Sequence, residues 1–141
     1  MMDFSYAITP FLAWLVAGGL KFLINSVKAG KPAFGLIGYG GLPSNHSSIV
    51  SSIAALIGLK ESIEHPAFGV AVALAFIVVL DASSLRRQIG RQAVAINRLA
   101  DSKEKSIPQL RERIGHTFIE IIAGIGTGIL VAAVTHWVMQ I

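Results

Sequence analysis

Cysteine is absent from the 141 residues, so neither a disulfide framework nor a thiolate metal site is available to this chain. Charge is scarce too: 14% of residues are Asp, Glu, Lys or Arg, where a soluble domain carries about 25%. The first ten residues, MMDFSYAITP, have no basic stretch and include Asp3, a pattern that does not predict a cleaved signal peptide. Aromatic residues make up only 8%, so the basic residues have no stacking platform beside them, which argues against a nucleic-acid partner. In place of these stand long apolar runs: 53% of the chain is hydrophobic and its mean hydropathy is +0.65. Such a chain is expected to be an all-α integral membrane bundle, with residues 1–141 forming a single domain.

Four segments approach the roughly 20 apolar residues that span a bilayer as helix. They cover residues 6–27, 44–59, 66–82 and 116–139. The second is the shortest and is rich in serine and alanine, small residues that let helices approach closely. In the fourth, Gly124, Gly126 and Gly128 include a GxxxG spacing, which suits close packing either inside the monomer or across a homodimer.

The connections carry the charge. The first, KAGKPAFGLIGYGGLP, is glycine-rich with two lysines, and the second is only KESIEHP. The third is long and polar, and its first half places Leu85, Ile89, Gln92, Ile96 and Leu99 in one stripe at helical period, with Arg87, Arg91 and Arg98 on another face. That pattern predicts an amphipathic helix at the membrane interface, facing anionic lipid headgroups. With four spans, the first and third connections share one side, and their lysines and arginines make it the cytoplasmic side of a bacterial inner or plasma membrane.

Several ionisable groups stand where a membrane protein does not favour them, and such groups usually mark function. Lys21 lies late in the first segment and His46 at the start of the second; Asp81, Arg86 and Arg87 end the third, and His116 and Glu120 begin the fourth. All fall at the ends that face the two long connections. His116 and Glu120, at i and i+4, are expected to meet on one helix face, where a carboxylate fixes the imidazole tautomer. His46 at a helix N-terminus sits where backbone N–H groups attract anions. Two histidines in a cationic cradle suit a phosphate ester, one attacking phosphorus and the other protonating the leaving oxygen. Asp81 reads as a structural partner of Arg86 or Arg87, and His65 and His136 as structural or exposed.

The stretches GGLPSNHSS, DASSLRRQIGRQAVAIN and GHTFIEIIAG together resemble a divergent branch of the type 2 phosphatidic acid phosphatase superfamily, the branch related to acid phosphatases and vanadium-dependent haloperoxidases. GLPSNHSS resembles that superfamily's Pro-Ser-Gly-His motif with Asn45 in place of glycine, and HTFIE its nucleophilic His followed four residues on by a carboxylate. The resemblance implies an all-helical bundle that hydrolyses lipid phosphates or pyrophosphates without a metal or other cofactor. It implies His116 as nucleophile, Glu120 as its orienting carboxylate and His46 as general acid, with Ser44 and its neighbouring backbone holding phosphate oxygens. It also implies Lys21 as the first-motif lysine, with Lys31 or Lys28 as its basic partner. For the arginine expected upstream of the nucleophile, Arg86 and Arg87 are the best candidates, since Arg111 and Arg113 lie in an exposed-looking run. The expected partner is a phosphorylated lipid within the bilayer. A second reading keeps the anion site but not the turnover, as a protein that binds or moves phosphorylated lipids. Vanadate-dependent halide oxidation suits so small a membrane bundle less well.

Overall fold

The structure is a computed structural model that describes residues 3–34, 41–101, 108–112 and 114–139. Its described residues form helices and loops: α1 (Ser5–Ala29), α2 (Asn45–Lys60), α3 (Pro66–Leu80), α4 (Arg86–Asp101) and α5 (Phe118–Met139). A π-helical turn, Asp81–Leu85, joins α3 to α4 without a loop. The glycine-rich loop at 35–40 and most of the polar run after α4 fall outside the described residues.

The local signals that start and stop these helices are ordinary ones. Ser44 caps α2, its hydroxyl accepting from the Ser47 N–H, and α1 ends at Gly30 in a left-handed conformation. Pro66 opens α3 behind His65, whose Nδ1 accepts from the Ala67 N–H at 3.2 Å. His65 is thus a structural cap, as its isolation in the sequence suggested.

α2 is the central element, packed against α1, α3 and α5. Ser44, Ser47, Ser48, Ser51 and Ser52 are all buried along it, so its interior is small and polar. No water is available at bilayer depth, so these hydroxyls must find protein acceptors. Four of them do: Ser48 Oγ donates to Ser44 O and to Gly124 O of α5, both at 2.9 Å, Ser47 Oγ to Ser44 Oγ at 3.1 Å, Ser51 Oγ to Ser47 O, and Ser52 Oγ to Ile49 O. Gly124 and Gly128 complete the contact. A Cβ at Gly124 would lie 2.5 Å from Ser44 O, and one at Gly128 only 2.9 Å from Ser52 N. The glycine spacing therefore serves packing inside the monomer.

Three helices among the described residues are long and apolar enough to cross a membrane: Ser5–Ala29, the continuous rod Pro66–Ala100 and Phe118–Met139. Their outward faces carry large exposed apolar residues such as Leu23, Ile77, Ile122 and Leu130, a surface that water does not favour and lipid does. The expected fourth span is not among them. α2 has 16 residues, about 24 Å of helix against a hydrocarbon core of about 30 Å. The expected amphipathic helix is present as α4, with Ile89, Ile96 and Leu99 exposed along it and Leu85 exposed at the end of the π turn before it. It continues α3 instead of standing apart from it.

Candidate functional site

Three chain segments meet at the N-terminal ends of α2 and α5. The first is the N-terminus of α2, where Asn45 and His46 directly follow the Ser44 cap. The second is the π turn. There the Arg86 N–H donates to Asp81 O, five residues back, so Ala82 O is released from its usual helical partner. Ala82 O accepts instead from the His116 N–H at 2.9 Å. The extra residue in the turn also rotates everything after it by about 100°. Arg86 thereby faces the site, its Nε donating to Asp81 Oδ2 at 2.9 Å, the structural pair expected from the sequence. Arg87 Nη2 donates to His116 O at 3.3 Å.

The third segment enters α5. His116 precedes the helix, so its meeting with Glu120 does not arise from two turns of one helix face. Thr117 and Glu120 form a capping box instead: Glu120 N–H donates to Thr117 Oγ1 at 3.3 Å and Thr117 N–H to Glu120 Oε2 at 3.0 Å. This folds the carboxylate back to His116 Nδ1, also at 3.0 Å. Gly115 makes the approach possible. Its φ is +102°, and a Cβ there would press on Arg87 and on Ala82 O at 3.3–3.4 Å.

With Nδ1 donating to the carboxylate, the neutral His116 ring keeps its lone pair on Nε2. Burial lowers the His116 pKa below the ordinary imidazole value; the Glu120 hydrogen bond opposes that shift, and the positive charge of Lys21 adds to it. At neutral pH the ring is therefore uncharged. His46 stands beside it, ring centroids 5.8 Å apart and edge to face.

Both histidines line a cavity of about 650 Å³. Lys21, Arg86 and Arg111 supply its positive charge, and Trp14, Leu15 and Phe22 an apolar wall. Asn45 Oδ1 and His46 Nδ1, atoms of two lining residues, are buried without a hydrogen-bond partner among the described residues. No group of three or more His, Cys, Asp or Glu side chains converges as a metal-ligand set among the described residues.

The sequence-derived candidates divide cleanly. His46, His116, Lys21 and Arg86 reach the cavity, and Glu120 supports His116 from behind. Arg87 is spent on the His116 carbonyl. Ser44 is fully buried, its hydroxyl accepting from Ser47 and its N–H donating to Glu120 O at 2.8 Å, so it serves as a cap and does not line the cavity. Lys28, in the last turn of α1, and Lys31, just past the Gly30 cap, are both exposed and outside the lining, although the chain returns to the cavity at Ala33 and Phe34. Arg111, set aside above as exposed-looking, lines the cavity, while Arg113 lies outside the described residues. Asn25 also lines it and was not singled out, although its place one helical turn after Lys21 was signal enough.

The chain is 31% identical over 144 residues to an uncharacterized membrane protein, YuiD, of Bacillus subtilis (strain 168), a match covering 90% of each chain. No solved structure matches it. The Divergent PAP2 family matches residues 3–131, a stretch that holds every side chain lining the cavity. This is an integral membrane protein, and it belongs to the Divergent PAP2 family.

Proposed function

We propose that the protein is a membrane phosphatase that hydrolyses a lipid phosphate monoester or pyrophosphate through a phosphohistidine. The observation that carries this reading is the pair of imidazoles, 5.8 Å apart, at the wall of one cavity with Lys21, Arg86 and Arg111. Family membership supports it as a phosphatase-like fold.

In this mechanism His116 Nε2 attacks phosphorus, forming the N–P bond as the P–O bond to the leaving group breaks. His46 delivers a proton to the departing oxygen, then takes one from the water that cleaves the N–P bond and releases phosphate. Lys21, Arg86 and Arg111 stabilise the charge on the equatorial oxygens. The carboxylate of Glu120 steadies the positive charge that His116 acquires. Trp14, Leu15 and Phe22 offer the lipid chain an apolar wall. The site belongs on the cytoplasmic side of a bacterial plasma membrane if the basic connections obey the positive-inside rule.

The test is phosphate release by purified protein in detergent across a panel of phosphatidate, phosphatidylglycerophosphate, polyprenyl phosphate and polyprenyl pyrophosphate. The expected outcome is turnover of one class, inhibition by vanadate and an acid-labile phosphoprotein after rapid quenching. A protein that binds these lipids but releases no phosphate is a binder or carrier and ends the enzymatic reading.

Glu120→Gln gives a second check through pH. Burial already holds the His116 pKa low, and the Glu120 carboxylate is the group that raises it. Removing that negative charge lowers it further, so the acid limb of kcat/KM moves to lower pH than in the wild type. Substrate ionisation is common to both proteins and cancels in the comparison. kcat falls by about 10²-fold, because the ring loses its orienting partner. An acid limb that stays in place, or moves to higher pH, removes Glu120 from this role.

A further inference from the structure

Asn97 is a buried polar residue far from the chemistry. It lies 11 positions beyond Arg86 on α4, about 16 Å along the helix, and it does not line the cavity. Its carboxamide is nevertheless engaged through both of its polar atoms, and every bond goes to one short stretch of irregular chain. Nδ2 donates to Leu110 O at 2.8 Å and to Glu112 Oε1 at 2.9 Å, and Oδ1 accepts from the Leu110 N–H at 2.8 Å. One side chain thus satisfies both backbone groups of Leu110, much as a neighbouring strand would. Gly90 permits the close approach from the same helix face, since a Cβ there would lie 2.5 Å from Glu112 O. At its far end the chain is anchored again, where the His116 N–H meets Ala82 O. Arg111 is held between these two anchors, its Cα within about 3.8 Å of the clamped Leu110 Cα, and its side chain lines the cavity.

We propose that Asn97 is a positioning residue: it clamps the 108–112 strap to α4 and so fixes where Arg111 stands against the phosphate. The proposal rests on the cavity being a phosphate site, as argued above, and adds a remote determinant of how tightly that site holds its anion. An irregular segment with no strand beside it among the described residues has no ladder to fix its register. The carboxamide supplies that register, and a displacement of about 1 Å at an anion-gripping group is enough to weaken it severely.

A double-mutant cycle tests the coupling, read as KM for a phosphate monoester and as orthovanadate affinity by calorimetry on the purified protein. Asn97→Ala is expected to raise KM and the vanadate dissociation constant about tenfold while kcat stays within about twofold. In an Arg111→Ala background the same substitution is expected to change neither. Gly90→Ala pushes the strap off the same helix face by a different contact and is expected to reproduce the tenfold loss, so it carries the test if Asn97→Ala does not fold. Equal losses with and without Arg111, or an unchanged vanadate affinity in both variants, overturn the proposal. Vanadate binding by a wild-type protein that hydrolyses nothing overturns the phosphatase reading alone, because the coupling is still measured by binding.

Discussion

If His116 is the nucleophile proposed above, His116→Ala is expected to abolish phosphate release, with kcat lower by roughly 10⁴-fold or more. The fold should survive the change. The contacts that hold this stretch, His116 N–H to Ala82 O and Arg87 to His116 O, are made by the backbone and do not need the ring. A vanadate-binding measurement on His116→Ala therefore separates lost chemistry from lost structure, since Lys21, Arg86 and Arg111 remain to attract the anion. His46→Ala should behave differently. A leaving group that departs without a proton, such as p-nitrophenolate, should rescue much of its first step, whereas an alkyl phosphate should not. Activity in His116→Ala above about one per cent of wild type, with an unaltered leaving-group dependence, would exclude the imidazole as the attacking group.

The second large effect concerns stability. Gly128→Ala introduces a methyl group against Ser48 O, Ser51 Oγ and Ser52 N, all on α2. The backbone of a helix cannot rotate away as a long side chain can, so α2 and α5 must separate. Overpacking of this kind costs about 1–3 kcal/mol. Gly126→Ala, two residues earlier, meets nothing within 4 Å and should be neutral or slightly stabilising, because alanine loses less backbone entropy in a helix. Thermal midpoints of the two variants in the same detergent give the comparison. Matching shifts would mean that the α2–α5 contact is not made through Gly128. The expected loss also reaches the site, since Ser44 N–H to Glu120 O is a bond across the same interface.

Much of this architecture was legible in the chain because its signals are local. Apolar runs marked α1, α3 and α5, and the serine-rich composition of α2 anticipated a helix surrounded by others. The convergence of His46 and His116 followed from both standing at segment ends that face the long connections. What was not legible depends on contacts distant in sequence. Lys31 beside Pro32 resembled a phosphate-binding ending, but the helix stops at Gly30 and leaves the ammonium exposed. Arg111 looked like part of a solvated run because nothing nearby shows that Asn97, 14 residues upstream, fastens its neighbour. The capping box at Thr117 and Glu120 was present as a signature, yet the same spacing also fits a plain helical pair, and only the start of α5 at Phe118 decides between them.

The π turn at Asp81–Leu85 is a single surplus residue with no compositional mark, and it explains why the site is fragile in a particular way. Removing one residue there would heal the rod into a regular spiral, which on backbone grounds alone is the more comfortable state. The repaired helix would reclaim the Ala82 carbonyl for itself and swing Arg86 away from its present bearing. A shorter chain would then be a better-formed helix and a worse receptacle, so a deletion in this turn should raise the melting temperature while silencing the protein.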